Sequence, residues 1–135
     1  MRLYVCHDSD PRATQTSIEV LLEKERLFGL DKIQTYTTFQ DRVIKLRDEF
    51  LKFLQNAKDE NKTVIAYGAA AKGNTLLNFS RVTTNEISVV FDAAPSKQNM
   101  FLPGSGIPIK PPSELSQTAA DFILILPWNL ATEII

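Results

Sequence analysis

Two spacings of apolar residues divide this chain. Ile18, Leu21, Leu22 and Phe28 recur at helical steps, with Thr16-x-x-Glu19 in front as a capping-box pattern and Gly29 behind as a stop. A second stripe runs Phe39, Val43, Leu46, Phe50, Phe53, Ala57, with Arg42, Lys45, Arg47, Asp48 and Glu49 on the other side. That pattern predicts a long helix from about Thr38 to Asp59, packed on a sheet or a neighbouring domain. After Asp59 the pattern changes to short, unbroken apolar runs at Thr63–Tyr67, Ile87–Phe91 and Phe122–Leu126. Runs of that kind read as strands buried on both faces, as in parallel sheets. Helical segments are expected at Lys72–Phe79 and from Asn129, a helical turn at Pro112–Leu115, and a minor extended piece at Ile107–Ile109. Arg2–His7 also reads as a short strand. The expected fold is therefore α/β, a mostly parallel sheet in three layers, preceded by two long helices.

Composition narrows the class. The 135 residues suit one globular unit, with 44% hydrophobic and 23% charged residues. A net charge of -1 gives no general attraction to nucleic acid or anionic membrane. No apolar run approaches the roughly 20 residues of a membrane helix. Met1-Arg2-Leu3-Tyr4-Val5-Cys6 leads into polar residues rather than a signal-peptide pattern, so the expected location is cytoplasmic. The lone Cys6 reads as a small buried filler, and the lone His7 has no metal-spaced companions, so no metal site is expected. The chain opens on a strand without an obvious partner and stops at Ile134-Ile135 within an apolar helix, which reads as part of a larger protein.

The candidate chemistry lies where the runs end. Gly68-Ala69-Ala70-Ala71-Lys72-Gly73 follows a strand and opens a helix, like a dinucleotide fingerprint with Ala70 at its middle glycine. It is not a Walker loop, because Lys72 precedes Gly73-Asn74-Thr75. Backbone N–H groups at such a helix start favour an anion, and Lys72 and Asn74 add polar donors; a plain tight turn is the alternative. Asp92 ends the next strand, about 20 residues on, where nucleotide folds carry a ribose-binding acid; a turn or capping role is the alternative. Pro127-Trp128-Asn129 ends the last strand, with Trp128 either a packing residue or a platform for a base or sugar. In an open parallel sheet these exits share one rim, where ligands bind. Lys97 and Gln98, in the long loop "APSKQNMFLPGSGIPIKPP", are within range of that rim, although the loop reads equally as a connection.

Three ordered motifs resemble a known family. Tyr67–Thr75 fits Tyr-Gly-Ala-x-x-Lys-Gly-Asn-Thr, Asp92–Asn99 fits Asp-x-x-Pro-x-Lys-Gln-Gly, and Pro103–Ile109 fits Pro-Gly-x-x-Ile-Pro-Ile, followed by Trp128-Asn129. Together they resemble the C-terminal domain of the sugar C-methyltransferases, S-adenosylmethionine-dependent enzymes that methylate a carbon of a nucleotide-linked deoxysugar ketone. The sequence departs at Asn99, where a glycine is usual, and at Ala93-Ala94, where Arg-Asn is frequent. The resemblance implies a Rossmann-like domain at 62–135, a helical linker at 8–61, and a strand at 1–7 left from a preceding methyltransferase domain. It implies that S-adenosylmethionine, a structural zinc and the catalytic groups belong to other domains of the full enzyme, so this piece alone is inactive. Its implied partners are the methyltransferase domain of the same chain and the nucleotide sugar. The diphosphate is then expected on Lys72, Asn74 and the Ala69–Gly73 backbone, the ribose on Asp92, and base or sugar beside Trp128 or Tyr67, with Gly68, Lys97 and Asn129 lining the site. The rivals are a stand-alone module for NAD or coenzyme A, and a structural domain that braces the methyltransferase domain through the Phe39–Phe53 stripe.

Overall fold

The computed structural model describes residues 4–135, which fall into two compact units, one up to Arg42 and one from Val43 onward. In the first unit, α1 (Thr16–Phe28) stops where expected. Gly29 takes φ 82, and its N–H and that of Leu30 close onto the Arg26 and Glu25 carbonyls. The capping box does not form: the N-cap is Gln15, without a side-chain hydrogen bond. A short helix that the apolar pattern did not predict, α2 (Ile33–Thr37), follows. Local polar contacts hold it, with the Thr35 hydroxyl donating to the Gly29 carbonyl (2.6 Å) and the Tyr36 hydroxyl to that of Leu30 (2.7 Å). Residues 4–7 form no strand, since a strand needs a neighbour to bond, and Cys6 is exposed rather than buried filler. The rest of the expected Arg2–His7 strand lies outside the described residues.

The second unit holds the sheet. Helix α3 (Phe39–Asp59) enters it and ends in a left-handed Asn61. Four strands follow: β1 (Val64–Tyr67), β2 (Val90–Phe91), β3 (Ile109–Lys110) and β4 (Phe122–Ile125). Their order is β3-β2-β1-β4 and every pairing is parallel. This is the α/β architecture that the unbroken apolar runs predict. The Ile87–Phe91 run pairs as a strand only over its last two residues.

Alternation along β1 splits the core. Val64 and Ala66 face α3 and α4 (Ala71–Phe79), packing with Leu54, Ala57, Leu77, Val90 and Ile109. Ile65 faces the other way with Val89 and Phe91, covered by Tyr67, Leu115 and Ala120. On that side the third layer is thin: the 3-10 helix Pro112–Gln117 supplies Leu115, and Ile123 stays half exposed. The α3 stripe is only partly used. Leu54 and Ala57 are buried, Phe53 and Phe122 meet edge to face with ring centroids 5.3 Å apart, and Phe39 and Leu46 stay exposed. Among the described residues no helix is long and apolar enough to cross a membrane.

The long loop after β2 is ordered by its own pairing. Asn99 and Met100 exchange backbone hydrogen bonds with Ile109, Phe101 bridges Pro108, and the Leu102 N–H reaches the Ile107 carbonyl. Asn78 ties its tip to α4, donating to the Pro103 and Asn74 carbonyls at 2.9 Å each. Asn99 has φ 63, a left-handed value that glycine takes freely and asparagine tolerates, which accounts for asparagine where the related pattern carries glycine.

Candidate functional site at the strand exits

Because every strand points the same way, β1, β2 and β4 release the chain on one side of the sheet. Between β1 and β4 the strand order reverses, since the chain leaves β1 through α4 toward β2 while β4 lies on the other flank. In open α/β sheets ligands bind at such a switch point, here between the two exit loops 68–70 and 126–130.

Two glycines set how tightly the β1 exit and α4 pack against the end of β4. Gly68 has φ 84, and a Cβ there would lie 2.5 Å from Pro127 Cδ. A Cβ on Gly73 would lie 2.6 Å from Leu126 Cβ. The first glycine of the fingerprint thus makes the turn, and the last lets α4 lie against the end of β4. Ala70, at the middle position, has φ -88 and ψ 145, which any residue adopts. Pro127 and Leu126 complete these contacts, and the sequence marks them only as the end of the last apolar run and the residue after it.

Helix α4 begins without a side-chain cap. The Asn74 N–H is the first to bond back, to the Ala70 carbonyl at 2.9 Å. The N–H groups of Ala71, Lys72 and Gly73 therefore have no partner within the helix. Lys72 is exposed, Gly73 is buried, and Asn74 keeps a buried amide oxygen with no hydrogen-bond partner. Trp128 and Asn129 are exposed in a 3-10 turn just past Pro127. Tyr67 packs on the second face of the sheet, with the Ile65 cluster.

Asp92, the expected ribose-binding acid, has partners within the protein. Its side chain is buried, and both carboxylate oxygens face inward. Oδ2 accepts the Ala69 N–H at 2.6 Å and Oδ1 the Ala94 N–H at 2.8 Å. Lys97 Nζ lies 3.3 Å from Oδ2 and donates to the Ala69 carbonyl at 3.0 Å, so Lys97 too is engaged within the protein. Gln98 Nε2 donates to the Asp92 carbonyl at 3.1 Å. Burial pushes the Asp92 carboxyl up, but the Ala94 and Ala69 N–H groups and the Lys97 ammonium together outweigh it and hold the group below its ordinary value.

The sequence matches the C-methyltransferase C-terminal domain family over residues 1–135. The chain belongs to this family. It is also 35% identical over 119 residues to C-methyltransferase NovU of Streptomyces niveus, covering 88% of this chain and 28% of that protein. The chain thus spans little more than a quarter of the length of the relative it matches. As a C-methyltransferase C-terminal domain it is part of a transferase, and its strand exits are the natural place to look for its contribution.

Proposed function

We propose that this domain holds the diphosphate of a nucleotide-linked deoxysugar while the sugar is methylated at carbon. One observation carries the reading: the uncapped start of α4, with Lys72 beside it, sits at the switch point of a parallel sheet. Three unpartnered N–H groups, the positive helix pole and an ammonium group make an anion site, and a diphosphate is an anion of suitable charge. Trp128, exposed just past the end of β4, offers a flat apolar face for a base or sugar. Membership of a C-methyltransferase family supports the transferase context.

The chemistry explains why a methyltransferase needs such a grip. Methylating a carbon beside a ketone requires loss of an α-proton and stabilisation of the resulting oxyanion. S-adenosylmethionine, bound by another domain, supplies the electrophilic methyl group. Aligning carbon and methyl donor can lower a barrier by roughly 7–11 kcal/mol. Binding energy from a remote diphosphate fixes that alignment. In this reading Lys72, Asn74 and the first-turn amides bind and orient, Trp128 and Asn129 border the occupant, and no residue of this chain moves a proton.

Substituting Lys72→Ala in the full-length enzyme tests the reading. The expected result is a weaker Michaelis constant for the sugar nucleotide, with turnover at saturation little changed. An unchanged Michaelis constant would sink the assignment. Thermal shift separates the rivals, since a ligand at about 100 times its dissociation constant stabilises by roughly 2.7 kcal/mol. A deoxythymidine-diphosphate sugar is expected to raise the melting temperature and NAD to leave it alone. NAD alone raising it favours a dinucleotide module, and no shift with either favours a bracing domain.

A further inference from the structure

We propose that Asp92 and Lys97 form a latch that sets the turn between β1 and α4, so that a buried negative charge near the anion site strengthens anion capture. The inference rests on the diphosphate reading above and names the residues that prepare that site.

Ala69 is held at both of its backbone polar groups. Its N–H goes to Asp92 Oδ2 at 2.6 Å, and its carbonyl receives Lys97 Nζ at 3.0 Å. Both side chains come from the exit of β2. Ala69 lies one residue before Ala70, the N-cap of α4, and no side chain caps that helix locally. The direction of the turn is therefore fixed from the neighbouring strand rather than from within. The Asp92 backbone is held in turn, its N–H donating to the Lys110 carbonyl at 3.0 Å and its carbonyl receiving Gln98 at 3.1 Å. With the Ala69 N–H directed inward, the Ala71, Lys72 and Gly73 N–H groups are left for an anion.

The sign of the effect separates this role from its alternatives. Considered as charge alone, a carboxylate close to a diphosphate repels it, so neutralising Asp92 should tighten binding. As a latch it should do the opposite. An asparagine can accept the Ala69 N–H, but it cannot also accept the Ala94 N–H on its other side, where it presents an NH2 group.

The test is calorimetric titration of the protein with deoxythymidine diphosphate, with amide exchange followed from Ala69 to Gly73. Asp92→Asn is expected to bind roughly tenfold more weakly or worse, the equivalent of about 1.4 kcal/mol, and to exchange faster at Ala69. Lys97→Met is expected to weaken binding several-fold while melting close to the parent protein, because the lysine side chain is nearly half exposed. Equal or tighter binding by Asp92→Asn overturns the latch while leaving the diphosphate reading intact. A parent protein that ignores the nucleotide overturns both. Should Asp92→Asn fail to fold, Lys97→Met decides, and parental affinity in that variant overturns the proposal.

Discussion

Gly73 and Leu126 are packed so closely that a methyl group on Gly73 would lie 2.6 Å from Leu126 Cβ. The helix that opens the candidate site is therefore seated directly on the residue that follows β4. Gly73→Ala is expected to destabilise the fold by about 1–3 kcal/mol through overpacking. Gly73 is not in the left-handed region, so the cost is spatial and not conformational. Urea unfolding measures it, and a parental midpoint would show that the helix has room to move away.

Gly68 carries both penalties. Its φ of 84 disfavours a side chain, and the atom that an added Cβ would meet, at 2.5 Å, belongs to the rigid Pro127 ring. Gly68→Ala is expected to cost more than Gly73→Ala, by about a further 1 kcal/mol for the left-handed backbone. Paired unfolding curves decide the order, and the reverse order would contradict the clash with Pro127.

Arg81 predicts a change in the opposite direction. It ends α4 at φ 56, with its own N–H and that of Val82 closing onto the Asn78 and Leu77 carbonyls. The chain uses glycine for the same job after α1 and asparagine after α3. Arg81→Gly should relieve the left-handed strain and stabilise by about 0.5–1 kcal/mol, since the side chain is exposed and forms no ion pair among the described residues. A rise in melting temperature checks it, and a fall would mean that the arginine makes a contact of greater worth.

Sequence reading was reliable where one physical signal dominated. Gly29 stopped α1 because no other residue takes φ 82 so readily, and the apolar run at Val64 became a central parallel strand buried on both faces, while the Phe122 run, expected to be buried, paired beside it as an edge strand with Ile123 half exposed. It failed where the deciding contact was distant or purely polar. Helix α2 depends on two hydroxyl-to-carbonyl bonds that leave no apolar period. Thr16-x-x-Glu19 has the letters of a capping box, but the chain starts its helix one residue too early to use it. Asp92 is the instructive case. Its position at the end of β2 was legible, but its direction was not, because that depends on where the Ala69 N–H and Lys97 lie across the sheet.

Asp92 also predicts how the fold responds to acid. Its carboxyl is held below the ordinary 3.8 in the folded state, so just under that value the unfolded chain binds the extra proton more readily. Its contribution to stability is therefore complete above the ordinary value and is lost as pH falls through the lowered one. Urea midpoints taken from about pH 6 to about pH 2 should drop in the parent and drop less steeply in Asp92→Asn. Superimposable acid limbs would show that other carboxyl groups carry the acid response.

Trp128 permits a direct test of occupancy, because it is the only tryptophan in the chain and is about half exposed, at 53%. Its fluorescence therefore reports one place, the exit of β4. A base or sugar laid against an exposed indole excludes water from one face and changes both intensity and emission maximum. Titrating deoxythymidine diphosphate should change the emission along a saturating curve, and base stacking on an aromatic ring is worth roughly 1–3 kcal/mol. Trp128→Phe should remove the signal and keep most of the affinity, while Trp128→Ala should weaken binding roughly tenfold without lowering the melting temperature, since little of the fold rests on this ring. A nucleotide that binds by calorimetry with no change in Trp128 emission would place the base elsewhere and leave only the diphosphate at the start of α4.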